Sequence, residues 1–267
     1  MKKFLILIIS ITSFTMTAQD IMTPELLWKL GRVSSLGISK DGKNIIYKVS
    51  TPSVKENKSN SKHYSVPVSG GKAVELKEHK GLINDKNISL DGKWTLSDKE
   101  VKINNVDGKD FYPELEKSDV KIYDALDYRH WDTFNHGNHN HVILTNANGE
   151  EIDIMKDEPY DAPQKPFGGD EDYIWSPDGS KVIYVSKKKT GTAYATSTNT
   201  DLYEYDLTSK TTKNLTEKNL GYDVAPQFSP NGDLSWLQMK RDGFEADKND
   251  IIVRHKGLDI NLTSGWD

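Results

Sequence analysis

"WSPDGSKVIYVSKK", Trp175 to Lys188, joins a Pro-Asp-Gly turn to an apolar run. Pro177 presets the φ wanted at the second position of a type I turn. Asp178 suits the third position, and Gly179 takes the positive φ that closes it. Val182, Ile183, Tyr184 and Val185 are β-branched or aromatic and read as a strand. Their apolarity is continuous rather than alternating, which predicts a strand covered on both faces.

The unit recurs. "ISKDGKNIIYKVS" (38–50), "ISLDGKWTLSD" (88–98) and "FSPNGDLSWLQMK" (228–240) repeat the turn and strand. Each is paired with a second hairpin: "SKHYSVPVSGGKAVELKE" (61–78), "HVILTNANGEEIDIMK" (141–156), "DLYEYDLTSKTTKNLTE" (201–217) and "DIIVRHKGLDINLTSG" (250–265). Two hairpins in roughly forty to fifty residues make a four-stranded propeller blade. The expected fold is therefore all-β: a partial β-propeller of about four blades with TolB-like Ser-Pro-Asp-Gly repeats. The gap between Gly92 and Gly179 is longer than the others, which places an insertion at Asp107 to Asn140. Within it, "YDALDYRHWDTF" suggests a short helix. "MTPELLWKLGRVS" (22–34) reads as a short N-terminal helix, with Thr23 as N-cap, Pro24 at the first helical position and Leu26, Leu27 and Leu30 on one face.

Residues 1–18 read as a secretory signal peptide: Lys2 and Lys3, an apolar stretch from Phe4 to Ile11, then small residues to Ala18. The expected domains are the signal (1–18) and an incomplete propeller (19–267), with a secreted or periplasmic address. No other segment is apolar enough to span a membrane. The chain has no cysteine, which excludes a lipobox, disulfides and thiol chemistry. A net charge of −5 with interspersed signs argues against a nucleic-acid partner. Lys187, Lys188 and Lys189 read as a solvated strand end.

No catalytic set stands in the sequence: there is no G-x-S-x-G elbow, P-loop, dinucleotide fingerprint or H-E-x-x-H. No cofactor is expected. His130, His136, His139 and His141 crowd twelve residues, and His136, His139 and His141 are the weak candidates for zinc. They lack a carboxylate or cysteine at convincing spacing, so no metal is expected. Acids cluster at Asp170, Glu171 and Asp172 and again around Arg241, Asp242, Glu245 and Asp247. Loop acids facing a channel suit an ammonium group, which makes Glu171, Glu245 and Asp247 the candidate substrate-binding residues.

"MTPELLWKLGRVS", "YRHWDTF", "EPYDAPQKPFGGDEDYIWSPDG", "STNTDLYEYDL" and "MKRDGFEAD" together resemble the N-terminal propeller of secreted bacterial peptidases of the prolyl-oligopeptidase family, on its dipeptidyl-peptidase 5 and acylaminoacyl-peptidase-like branch. The resemblance implies a serine hydrolase releasing dipeptides from oligopeptides, with its triad in a C-terminal α/β-hydrolase domain that this sequence does not contain. It implies a propeller that gates substrate and is inactive alone, with an oligopeptide and that hydrolase domain as partners. The alternative is a stand-alone periplasmic binding propeller of TolB type. A four-repeat array without a closing strand is expected to leave apolar faces at Ile45–Tyr47 and Ile251–Val253, to be marginally stable and to self-associate.

Signal cleavage predicts that the exported protein begins at Gln19 or Asp20, and N-terminal sequencing that returns Met1 contradicts it.

Overall fold

The computed structural model describes residues 22–126 and 128–266, so the leader read at residues 1–18 lies outside the described part. Two compact units divide the chain, residues 1–84 and 85–267.

In the first unit, helix α1 (Pro24–Lys29) precedes strands β1 (Arg32–Ile38), β2 (Asn44–Ser53), β3 (Lys58–Pro67) and β4 (Val74–Leu76). They form one antiparallel meander in sequence order. The Thr23 hydroxyl accepts the Leu26 amide at 3.1 Å, as an N-cap should. The helix is shorter than the sequence reading, because the chain from Arg32 onward is recruited into β1. Leu26, Leu27 and Leu30 are not buried by it. Ile46, expected on an open face, is instead buried, at 1% exposure.

The second unit holds three further sheets. One contains β5 (Trp94–Lys102), β8 (Asn138–Asn146) and β9 (Glu151–Asp153), its innermost position reduced to the single bridge Ile88–Thr95. Between β5 and β8 lie helix α2 (Gly108–Phe111), a 3-10 turn (Pro113–Leu115) and the hairpin β6 (Arg129–His130) and β7 (Thr133–Phe134). The insertion thus ends where β8 begins, at Asn138, and within the stretch read as a short helix Arg129 to Phe134 form a hairpin instead. Trp131 supplies its turn at φ 48°. The next sheet runs β10 (Tyr173–Trp175), β11 (Lys181–Ser186), β12 (Asp201–Asp206) and β13 (Thr211–Asn214), with helix α3 (Gly191–Thr196) between β11 and β12. The last runs β14 (Asp223–Phe228), β15 (Leu234–Gln238), β16 (Asp250–His255) and β17 (Leu258–Asn261).

Strand β11 answers the opening stretch. Val182 and Tyr184 pack with Leu96, Val142, Leu144 and Met155 of the preceding blade. Ile183 and Val185 pack with Leu234, Trp236 and Ile252 of the following one. Successive side chains point to opposite faces, so a strand sandwiched between blades must be apolar at every position. Ile252 is buried in this way, and only Ile251 of its expected open face is substantially exposed.

The repeated Ser-x-Asp-Gly turns share one wiring. The Ser176 hydroxyl donates to Asp178 at 2.6 Å and accepts the Lys181 amide at 3.0 Å, while the Gly179 amide closes on the Ser176 carbonyl at 2.9 Å with φ 71° at Gly179. Ser39 with Asp41 and Ser89 with Asp91 repeat the hydroxyl–carboxylate bond at 2.6 and 2.8 Å.

The Asn-Leu-Thr endings have an equally specific use. Asn214 donates to the Asp201 carboxylate at 3.0 Å and accepts the Thr216 amide at 2.9 Å, and the Thr216 hydroxyl accepts the Leu202 amide at 3.0 Å. In the last sheet Thr263 bonds Asp250 at 3.0 Å and accepts the Ile251 amide at 2.9 Å. The β8–β9 sheet keeps this latch with altered chemistry. His141 Nδ1 meets Asp153 at 2.8 Å, and Asp153 accepts the Met155 amide at 2.8 Å. In all three sheets the following residue closes the same backbone bond: Ile154 to Val142, Leu215 to Leu202, Leu262 to Ile251.

His141 Nε2 also lies 2.9 Å from the Glu158 carbonyl, which can only accept. Both ring nitrogens therefore serve as donors, the imidazolium form. Burial acts to lower the pKa of His141, but Asp153 and the Glu158 carbonyl outweigh it and hold it above the usual 6.5. A raised folded pKa contributes stability that is complete below the unfolded value and is lost as pH rises through the folded one. Thermal melts followed from mildly acidic to mildly alkaline pH should show this loss, and His141→Asn should be less stable at acidic pH and lack that slope. Parallel pH dependences in the two proteins would contradict the assignment.

Candidate functional site

A cleft of about 1170 Å³ opens in the second unit. One wall is the loop from Pro163 to Asp172, which links the β8–β9 and β10–β13 sheets. The facing wall is the loop from Gly243 to Asn249 between β15 and β16. Tyr194 and the Thr196–Thr198 turn lie between them, and Tyr128 to His130 of the inserted hairpin form the rim.

Each wall is fastened by an aspartate, Asp172 buried and Asp242 exposed. Asp172 accepts the Gln164 amide at 2.9 Å, and the Gln164 carbonyl accepts the Gly168 amide at 2.6 Å. The loop is wound so tightly that a Cβ at Gly168 would lie 2.1 Å from the Asp172 carboxylate. Gln164 extends the anchorage, accepting the Lys187 amide at 2.9 Å and donating to the Tyr194 hydroxyl at 3.3 Å. Burial pushes the Asp172 carboxyl up to about 6, the Gln164 amide opposes the shift and the neighbouring Glu171 adds to it. Opposite, Asp242 accepts both the Ser197 hydroxyl and the Thr198 amide at 2.7 Å, and the Gly243 amide returns to the Thr198 hydroxyl at 2.9 Å. Burial opposes ionisation of Asp242, yet these donors hold its carboxyl below the usual range.

The structure brings two of the three candidate acids together. Glu171 stands on the first wall and Glu245 on the second, both exposed and both lining the cleft. Neither has a cationic partner among the described residues; Glu245 accepts only the Tyr222 hydroxyl, at 3.4 Å. Asp247 does not join them. Arg241 grips its carboxylate through both Nε and a terminal nitrogen, and the same guanidinium lies 3.9 Å from the centre of the Phe244 ring. Asp170 is likewise occupied, 3.3 Å from Lys86.

The histidines disperse into separate networks. His139, buried, bonds Asp161 at 3.1 Å and Asn104 at 3.2 Å. His141 serves the latch described above. His136 stands 3.6 Å from Asp107, and His130 packs on Trp131 at the hairpin tip. Among the described residues no group of three metal-ligating side chains is gathered.

The lysine run is where the sequence reading errs most. Lys188 is not solvated: its ammonium lies 2.5 Å from Glu158, 4.2 Å from the centre of the Tyr203 ring and 3.1 Å from the Tyr184 hydroxyl. Lys187 lies over Tyr194 at 4.3 Å. The parity of Lys188 with Val182 and Tyr184 along the strand was the available signal, since it continues their face of the blade. Asp172 and Asp242 carried no signal beyond membership of an acidic loop.

Four-stranded meanders stacked through doubly buried strands, with a cleft built from the loops between them, define blades of a β-propeller. No protein-family model matches the chain. The chain is a propeller portion homologous to dipeptidyl-peptidase 5. It is 37% identical over 87% of its length to the dipeptidyl-peptidase 5 of Porphyromonas gingivalis, covering 41% of that protein. It is 31% identical over 85% of its length to that of Porphyromonas endodontalis, covering 40%. The chain thus spans about two fifths of the length of these relatives. Among solved structures, the acylaminoacyl peptidase of Pyrococcus horikoshii matches 90% of the chain and 41% of its own, at a TM-score of 0.56 and 12% identity.

Removing the Lys188 ammonium strands Glu158 among three tyrosines. Lys188→Met is expected to cost about 2 kcal/mol or more of unfolding free energy. Glu158→Gln made in that background should recover part of it, and a denaturant-unfolding double-mutant cycle showing no coupling would contradict the pairing.

Proposed function

We propose that this chain is the substrate-admitting propeller of a secreted serine exopeptidase of the prolyl-oligopeptidase family that releases dipeptides from oligopeptides. The observation that carries the proposal is the 37% identity, across nearly the whole chain, to a protein named dipeptidyl-peptidase 5. The paired acids support it. Glu171 and Glu245 line one cleft and neither has a cationic partner among the described residues, an arrangement that suits a peptide's free ammonium with charged acceptors. Asp172 and Asp242 hold the two loops, so the acids are presented on fixed backbone rather than on wandering chain. Fixed acceptors orient a peptide by its N-terminus, and orientation is what counting two residues from that end requires.

Bond cleavage lies elsewhere. Acyl transfer needs an activated nucleophile beside a base and donors aimed at the developing oxyanion. No serine of this sequence stands in a G-x-S-x-G elbow, so the hydrolase domain is the partner the proposal requires, and the 267-residue chain alone should not hydrolyse dipeptidyl substrates.

In the complete enzyme, alanine at Glu171 or Glu245 is expected to raise KM for dipeptidyl substrates by roughly tenfold to a hundredfold, the loss of one charged hydrogen bond. Asp247→Ala should have a smaller effect, since its carboxylate already serves Arg241. Steady-state kinetics unchanged in both glutamate variants would remove these acids from the site. A locus with no following α/β-hydrolase sequence would favour the binding-propeller alternative.

A further inference from the structure

The two walls of the cleft are rooted in different sheets. Among the described residues no hydrogen bond or ion pair joins the 163–172 loop directly to the 243–249 loop. The segment from Tyr194 to Thr198, helix α3 and the turn after it, bonds to both. On one side the Tyr194 hydroxyl accepts the Gln164 side-chain amide at 3.3 Å, and the Lys187 ammonium lies 4.3 Å from the centre of the Tyr194 ring. Gln164 in turn accepts the Lys187 backbone amide at 2.9 Å, so the three residues brace one another. On the other side Ser197 and Thr198 bind the second wall through Asp242, at 2.7 Å, and through the Gly243 amide, at 2.9 Å. The backbone between the two grips is itself held. The Ser197 amide donates to the Ala193 carbonyl at 3.1 Å, and the Thr196 hydroxyl to the Thr192 carbonyl at 3.0 Å. The other side chains of α3 are small and exposed, which leaves Tyr194 as the helix's hold on the first wall.

We propose that Tyr194 is a positioning residue: it makes α3 a strut that ties the two walls together and sets the span of the cleft. A short segment bonded at both ends passes a displacement of one wall to the other, whereas loops rooted in separate sheets without it move independently. The consequence rests on the reading of Glu171 and Glu245 as ammonium acceptors. They stand on opposite walls, so a ligand that engages both requires the span to be held to within about 0.5 Å. Tyr194 acts on such a ligand through Gln164 and Asp242, not by contact. Its two parts have separate tasks: the hydroxyl takes Gln164, and the ring carries the Lys187 ammonium. Removing the hydroxyl alone therefore cuts one of the two ties to the first wall, and removing the whole side chain cuts both.

The test uses the full chain, whose lack of cysteine allows spin labels to be placed at chosen sites. Phe167→Cys on the first wall and Ala246→Cys on the second, both exposed and both lining the cleft, report its span by electron–electron distance measurement. A single narrow distance is expected where Tyr194 is kept, a broad or split distribution with Tyr194→Ala, and an intermediate one with Tyr194→Phe. Circular dichroism verifies that the variants fold, and Tyr194→Phe carries the comparison if Tyr194→Ala does not. Calorimetry with Gly-Ala-amide and its N-acetyl form reads the consequence. The free-amine probe should bind about tenfold more weakly to Tyr194→Ala, and Glu171→Ala should cost less in that background than in the parent chain. Distances unchanged in the Tyr194 variants overturn the strut, whatever the probes do. Broadened distances with unaltered affinity for Gly-Ala-amide overturn the positioning role. Broadened distances in a parent chain that binds neither probe, or binds both alike, uphold the strut and overturn the ammonium reading.

Discussion

Strand Lys181–Ser186 is apolar on both faces because it has a blade on each side, and the second unit is organised by that constraint. Val182 and Tyr184 close one interface and Ile183 and Val185 the other. All four are 0–1% exposed. Burying such side chains contributes roughly 1.5–3 kcal/mol each, so a short strand supplies a large share of the core. A polar residue at any of its central positions would face one interface or the other, with no solvent-exposed side to absorb it. The repeat therefore tolerates variation at its turns and edges far more readily than at this strand.

Around the doubly buried strands, polar chemistry fixes where each hairpin starts and stops. Serine hydroxyls accept the strand amide and donate to the turn aspartate, so the turn is satisfied without water. The latch at the other end pairs a residue in the first half of one strand with the end of its neighbour. Asp201 with Asn214 and His141 with Asp153 reach the same geometry with donor and acceptor exchanged. The exchange substitutes an ion pair for a charge–amide bond and makes one sheet responsive to pH. Lys188 shows the same economy: a cation extends the apolar face of its strand because three tyrosines and Glu158 replace its water.

The cleft inherits its rigidity from that frame. Its loops begin and end on blade strands and are tied by Asp172 and Asp242, whose carboxylates are consumed by backbone and hydroxyl donors. The acids left over, Glu171 and Glu245, are the ones available to a ligand. Asp247 shows why proximity in sequence is insufficient, since a neighbouring arginine takes it out of play. The homology to dipeptidyl-peptidase 5 spans about two fifths of those proteins' length.

The sequence by itself determined the blade repeat, the turn positions and the apolar strands, because each is written in residues only a few positions apart and obeys a period of two or a fixed turn geometry. It also placed Glu171 and Glu245 in loops, though not which of three acids would stay free. It misread the inserted hairpin, whose short strands are stabilised by a turn at Trp131 and not by any periodic pattern. It misread Lys188, whose solvation depends on tyrosines and a glutamate distant in the chain. Tertiary structure alone decided that Glu171 and Glu245 share one cleft and that Trp131 meets Phe167. These are contacts between segments separated by whole strands, and no local propensity encodes them: they exist only once the buried strands have stacked and brought their connecting loops to the same side.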